Sequence, residues 1–208
     1  MGPLTKSDPS HAGWQYDLTI VHLRLGQALF ELGRLPEAST NFDTALQIGK
    51  ARDNSEIYFR RALTKLYLND AAAASEDAAT AVKLRPESPY FVLWLHVARL
   101  RARQNDADEL AANARKVDQS KWPWPLIALF VGSITADEAR NAALSTDQRT
   151  SVELSCVADF FVGIYRLERG AAAVARPLFQ SAADHCPKAF VQYWAAKFEL
   201  KRLDRSVN

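Results

Sequence analysis

No apolar run in this sequence reaches the roughly 18–20 residues that a helical bilayer span needs, so a membrane span is not expected. Charge of one sign is equally scarce. Lys and Arg number 26 against 24 Asp and Glu, a formal net charge of +2. That balance gives no overall field to hold a polyanion. The basic residues form no run and the aromatic residues fall in apolar stripes, so nucleic acid is not an expected partner. The four histidines, His11, His22, His96 and His185, are scattered without paired metal-ligand spacing. HExxH, P-loop and GxSxG motifs are missing. No metal and no cofactor is therefore expected, and no catalytic residue is assigned. Residues 1–13 lack the apolar core of a secretion signal and an early cysteine for lipid attachment, and Pro3 and Lys6 do not fit a myristoylation signal. The compartment stays open: cytoplasmic as written, periplasmic or envelope if a leader was removed.

Only 8 glycines occur in 208 residues, among long stretches rich in Ala, Leu and Arg. That composition favours helix over sheet. A repeat then emerges from spacing. Gly26, Ala38 and Ala45 are separated by 12 and 7 residues, with Gly33 at a turn. The same intervals return at Ala62, Ala74 and Ala81 with Asn69 at the turn, and at Gly163, Ala175 and Ala182 with Gly170 at the turn. Pro86 and Pro187 follow the second and third sets, where proline stops a helix. Two helices joined by a tight turn approach closely only where facing side chains are small. A period near 34–36 residues with this signature is that of tetratricopeptide (TPR) helix pairs.

The expected fold is all-α: a TPR-type solenoid of helical hairpins in a right-handed superhelix, with about eleven helices. Regular repeats are expected at 19–52, 55–88 and 156–189. A degenerate repeat at 89–121 has Asn105 in its turn and Leu110 and Val117 where small residues belong. An irregular insert at 122–150 follows, with short helices near 125–131 and 135–144; Thr135 and Glu138 have capping-box spacing. A capping helix at 188–203 carries Phe190, Trp194 and Phe198 four residues apart. Residues 1–14 are expected to be disordered, and 15–208 to form one domain.

The run Trp122 to Thr135 (WPWPLIALFVGSIT), with ADFFVGIYRLERG, ARPLFQSAADHCPKAFVQY and FELKRL beyond it, resembles the C-terminal half of NlpI-type TPR lipoproteins of proteobacteria. The resemblance implies an envelope adaptor that docks proteases or peptidoglycan hydrolases, often as a homodimer. The lipoprotein leader and its cysteine are absent from this sequence, and repeat positions that keep the fold do not transfer a binding site.

In a TPR stack the first helix of each pair lines the concave face. That register places Arg24 and Gln27, then Phe59, Arg60 and Tyr67, then His96, Arg99 and Arg103 in a groove. Arginine grips carboxylates in a fork and aromatic rings accept apolar side chains. The expected ligand is a protein or extended peptide, with acidic character or a free C-terminal carboxylate. The expected function is an adaptor or scaffold; the alternative is a hydrolase or other enzyme with an unrecognised active site. The aromatic surface of the last helix, Phe190, Tyr193, Trp194 and Phe198, also suits a second copy of the protein. Cys156 and Cys186 fall at the open end of the last hairpin, as neighbours able to form a disulfide or to stay as two buried thiols.

Overall fold

The structure, a computed structural model, describes residues 12–49 and 53–206. These residues form eleven helices and no strand. In sequence order they are α1 (Ala12–Glu31), α2 (Leu35–Ile48), α3 (Ser55–Tyr67), α4 (Ala71–Leu84), α5 (Pro89–Arg101) and α6 (Ala107–Ala114). Then come α7 (Trp124–Val131), α8 (Ala136–Asn141), α9 (Gln148–Glu168), α10 (Ala172–His185) and α11 (Val191–Ser206). Consecutive helices pack on one another, as in a helical repeat fold, with α1 on α2, α3 on α4 and α9 on α10 as the main hairpins. The first helix starts at Ala12, inside the stretch expected to be disordered; residues 1–11 lie outside the described residues.

The hairpin turns share one backbone device. Gly33, Asn69 and Gly170 take positive φ of 73°, 66° and 75°, two residues before the following helix. Glycine adopts this left-handed region without a Cβ clash, and Asn tolerates it better than most residues. Beyond each turn the small positions sit at the helix crossing. Ala38, Ala45, Ala74, Ala81, Ala175 and Ala182 are all 0% exposed.

The glycines of the first helices lie against a phenylalanine of the second. A Cβ on Gly26 would lie 2.6 Å from the Phe42 ring, and one on Gly163 would lie 2.7 Å from the Phe179 ring. Phe42 and Phe179 therefore fill space that the missing side chains leave. The second hairpin solves the same volume problem with two alanines, buried Ala62 and Ala78, at the matching positions. Glycine plus phenylalanine and alanine plus alanine are alternative fillings of one crossing.

The third hairpin departs from the others. Its left-handed residue is Arg103 (φ 56°), not Asn105, and α6 begins four residues later instead of two. Leu110 is buried where the regular hairpins have alanine. Only eight residues of α6 remain helical. The insert holds α7 and α8, and Thr135 closes a capping box: its hydroxyl accepts from the Glu138 N–H while Glu138 accepts from the Thr135 N–H. Residues 148–150, placed in the insert by spacing, belong to α9, whose N-terminus Asp147 caps by accepting from the Thr150 N–H at 2.7 Å.

The core runs through the whole array, centred on α5, where Phe91 to Ala98 are buried without interruption. Such a helix, apolar all round, is surrounded on every side. It packs on α3, α4, α6 and α7. Trp94 reaches Phe160 and Phe161 of α9 at 5.2 and 5.6 Å between ring centroids. Between the first two hairpins lies a polar knot. Asp77 accepts two hydrogen bonds from Arg61 and pairs with Lys65 at 2.9 Å, while Arg61 also reaches Asp43 at 2.6 Å. Burial works against the Arg61 charge, but hydrogen bonds and charge from Asp77 and Asp43 outweigh it and raise its pKa.

Candidate functional site

The last helix decides what remains of the groove. α11 packs on α10 and α9, and its Phe198 reaches α1 and α3. Phe198 stands edge-on to Phe30 of α1 at 5.4 Å and against Tyr67 of α3 at 4.9 Å. Beside it Glu199 is 1% exposed and accepts from Arg101 of α5 at 2.8 Å and from Arg202 at 3.1 Å. Arg101 also lies 3.5 Å from Glu168 of α9. One buried carboxylate thus binds the C-terminal helix to the end of α5. The helix expected to cap the array packs on α10 and also reaches Phe30 of α1 and Tyr67 of α3.

The aromatic stripe of α11 is engaged within the protein. Besides Phe198, Trp194 donates its indole N–H to the Lys188 carbonyl at 2.9 Å, and Lys197 sits 4.4 Å from the centre of the Tyr193 ring. Burial, and next the negative charge of Glu199, push the Tyr67 hydroxyl well above its ordinary pKa.

Two cavities are left at the ends of α11. The larger, about 410 Å³, opens where α3, α5 and the start of α11 converge. Phe59, which stacks on Phe91 at 4.8 Å, Tyr90, Trp94 and Phe190 give it aromatic walls, and Glu56, Ser88 and Gln192 add polar groups to the lining. Its rim carries Arg60 and Arg85. Arg60 donates to Glu56 at 2.7 Å and Arg85 to Asp53 at 2.9 Å. Each rim cation therefore already faces a carboxylate. Burial raises the Tyr90 pKa, against the opposing effect of a hydrogen bond with Trp122. The second cavity, about 340 Å³, lies at the turn end of the hairpins. Tyr67, Phe198, Lys201, Arg202 and Arg205 contribute to its lining.

The residues expected to line one groove are dispersed. Phe59 and Arg60 meet at the larger cavity, and Tyr67 lines the second. Gln27 faces a narrow cleft shared with Arg60 and Trp194. Arg24 is exposed and donates to Gln27 at 3.0 Å. His96 is buried on the other side of α5, with Nδ1 2.8 Å from Asp106 and its ring 4.6 Å from that of Phe130. Arg99 turns the same way and donates to Glu109 at 2.9 Å and Gln104 at 2.7 Å. Arg103 occupies the exposed left-handed turn position. The physical reason is the central place of α5: its Tyr90, Phe91 and Trp94 face the larger cavity, while His96 and Arg99 face the other way and are taken up by Asp106 and Glu109.

Tyr90, Phe91, Trp94 and Phe190 are the cavity residues that repeat spacing does not mark. Their signal is the aromatic density just after Pro89 and around Pro187, where a helix start and a hairpin end meet. Cys156 and Cys186 form a disulfide between α9 and the C-terminus of α10, with Cα atoms 5.1 Å apart. Cys156 lies two turns into α9, since that helix starts earlier than the repeat spacing implies. Among the described residues, no group of three or more His, Cys, Asp or Glu is placed to hold a metal, and no helix is long and apolar enough to cross a membrane. No family model matches the sequence.

Proposed function

We propose that the protein is a TPR-type solenoid with a right-handed superhelical course that acts as an adaptor. It binds an extended segment of a partner protein and has no catalytic role of its own. The observation that carries this reading is the aromatic cavity at the end of α11, about 410 Å³ and rimmed by Arg60 and Arg85. Concave, mostly apolar spaces with a few placed polar groups are the usual form of a binding pocket. One large apolar or aromatic side chain of the partner fills the cavity. Because each rim arginine already has a carboxylate partner, apolar filling dominates affinity; acidic flanks or a free C-terminal carboxylate add a smaller term by competing for Arg60.

The hairpin repeat at 36-residue spacing and the paired packing of consecutive helices support the TPR assignment. The resemblance to NlpI-type lipoproteins and the Cys156–Cys186 disulfide support an envelope location, since disulfides persist in oxidising compartments.

The test is selection of binders from a displayed random-peptide library, followed by fluorescence anisotropy on the full-length protein. Selected peptides are expected to share an aromatic or large aliphatic residue. Tyr90→Ala is expected to weaken them by roughly tenfold or more, as for central interface residues, and Arg60→Glu by roughly two- to fivefold, as for a rim ion pair. Equal affinity for both variants and the parent would move the site away from this cavity.

A further inference from the structure

We propose that the cavity at the turn end of the hairpins, about 340 Å³ in volume, is a binding site for a small organic phosphate. Arg101, Lys201, Arg202 and Arg205 line it, and among the described residues no Asp or Glu does. Arg101 and Arg202 share the buried carboxylate of Glu199, and Arg101 also has Glu168 within 3.5 Å. Lys201 and Arg205 are exposed and have no carboxylate partner among the described residues. Acidic groups close to the cavity in sequence are engaged elsewhere: Glu37 pairs with Arg34, Asp70 accepts from the Ala73 N–H, and Asp204 pairs with Arg176. The contrast with the aromatic cavity is direct. There each arginine faces a carboxylate; here four cations meet two, and Lys201 and Arg205 are left uncompensated.

The surroundings define the ligand. Lys201 and Arg205 stand one turn apart on α11, and like charges at that spacing destabilise a helix unless an anion sits between them. The helix C-terminus favours Arg205, in the last turn, but that effect fades before Lys201. Leu35 and Ala71, the first residues of α2 and α4, also line the cavity. Two helix N-termini with partial positive charge therefore adjoin it, and that of α2 has no side-chain cap. A phosphomonoester carries about −1.5 to −2 charge at pH 7, which balances two free cations, whereas a carboxylate balances one. The guanidinium of Arg205 matches phosphate oxygens in a fork. Leu66 and Phe198 add an apolar wall, and the volume lies at the lower end of small-molecule sites. The phosphate thus carries a compact apolar body. A soluble molecule and a lipid headgroup offer the same chemistry, and the test separates them. The site does not depend on peptide binding at the aromatic cavity.

Isothermal titration calorimetry of the full-length protein with phenyl phosphate reads the result, with benzyl alcohol as the uncharged probe. Phenyl phosphate is expected to bind with a Kd of about 0.1 mM, and benzyl alcohol to give no binding heat. Lys201→Gln/Arg205→Gln is expected to weaken phenyl phosphate by roughly tenfold or more, as for lost charge-assisted hydrogen bonds. Its helical circular dichroism spectrum should be unchanged, since both side chains are exposed. Lys83→Gln/Arg115→Gln removes the same charge from exposed positions outside the cavity and should keep the parent Kd. Phenyl phosphate that fails to bind the parent protein overturns the proposal. So does a Kd unchanged in Lys201→Gln/Arg205→Gln, or one weakened equally by Lys83→Gln/Arg115→Gln. Phosphatidylcholine vesicles containing phosphatidic acid, whose headgroup is a phosphomonoester, then separate the two sources. Co-sedimentation of the parent but not of Lys201→Gln/Arg205→Gln assigns a lipid headgroup; phenyl phosphate binding without co-sedimentation assigns a soluble ligand.

Discussion

Gly163→Ala isolates the close approach on which the last hairpin depends. The new Cβ would sit 2.7, 3.0 and 3.2 Å from three atoms of the Phe179 ring, where carbon atoms normally rest about 3.5–4.0 Å apart. Phe179 is fully buried, and its ring lies 5.9 Å from that of Phe160, so it has no free direction in which to swing. Overpacking of this kind costs about 1–3 kcal/mol. Replacing a mid-helix glycine by alanine returns about 1 kcal/mol. The expected net loss is therefore ~1 kcal/mol, read as a lower urea midpoint with unchanged m-value. Shortening the ring should relieve the clash, so Gly163→Ala/Phe179→Leu should lose less than the two single variants added, by about 0.5–2 kcal/mol. Gly33→Ala is the contrasting control. Nothing lies within 4 Å of its Cβ, but its φ is +73°, so its cost of ~1 kcal/mol is conformational and should not couple to Phe42. If Gly163→Ala stabilised by about the propensity term, or if its effect simply added to that of Phe179→Leu, close approach would be refuted as the constraint on this crossing.

Two further outcomes are expected. Titration of the unfolded, non-reduced protein should find no free thiol, and Cys156→Ser/Cys186→Ser should lose roughly 3–4 kcal/mol from opening a loop of 30 residues; two titratable thiols would reject the bond. Acid should weaken the helix starts. The Ser55 N–H, and after it Arg85, hold Asp53 below its ordinary pKa, and the Thr150 hydroxyl and N–H hold Asp147 below its own. A folded pKa below the unfolded value of about 4 means stability that is present above that pH and is lost as pH falls through the folded value. Thermal melts between neutral and acid pH should show this slope reduced in Asp53→Asn/Asp147→Asn; an identical slope would assign acid sensitivity to other carboxylates.

Much of the local architecture is legible in the sequence. Hairpin turns, helix stops and buried crossings follow from Gly33, Asn69, Gly170, the six alanines at their 7-residue separation and the prolines, because each acts through its own backbone or volume. The Thr135–Glu138 cap is readable for the same reason: its partners lie three residues apart. The groove is another matter. Repeat register says which face the first helices present, but not what later folds onto it. Phe198 meets Phe30 and Tyr67 over separations of more than a hundred residues, and Glu199 meets Arg101 from 98 residues away. No periodicity encodes such contacts. His96, Arg99 and Arg103 fell outside the cavity because α5 became the centre of the core, which depends on α6, α7 and α9 closing around it. Spacing alone placed side chains on helix faces; only the packing of distant helices decided that α11 reached α1 and α3, that an aromatic cavity remained at one of its ends, and that a basic one formed at the other.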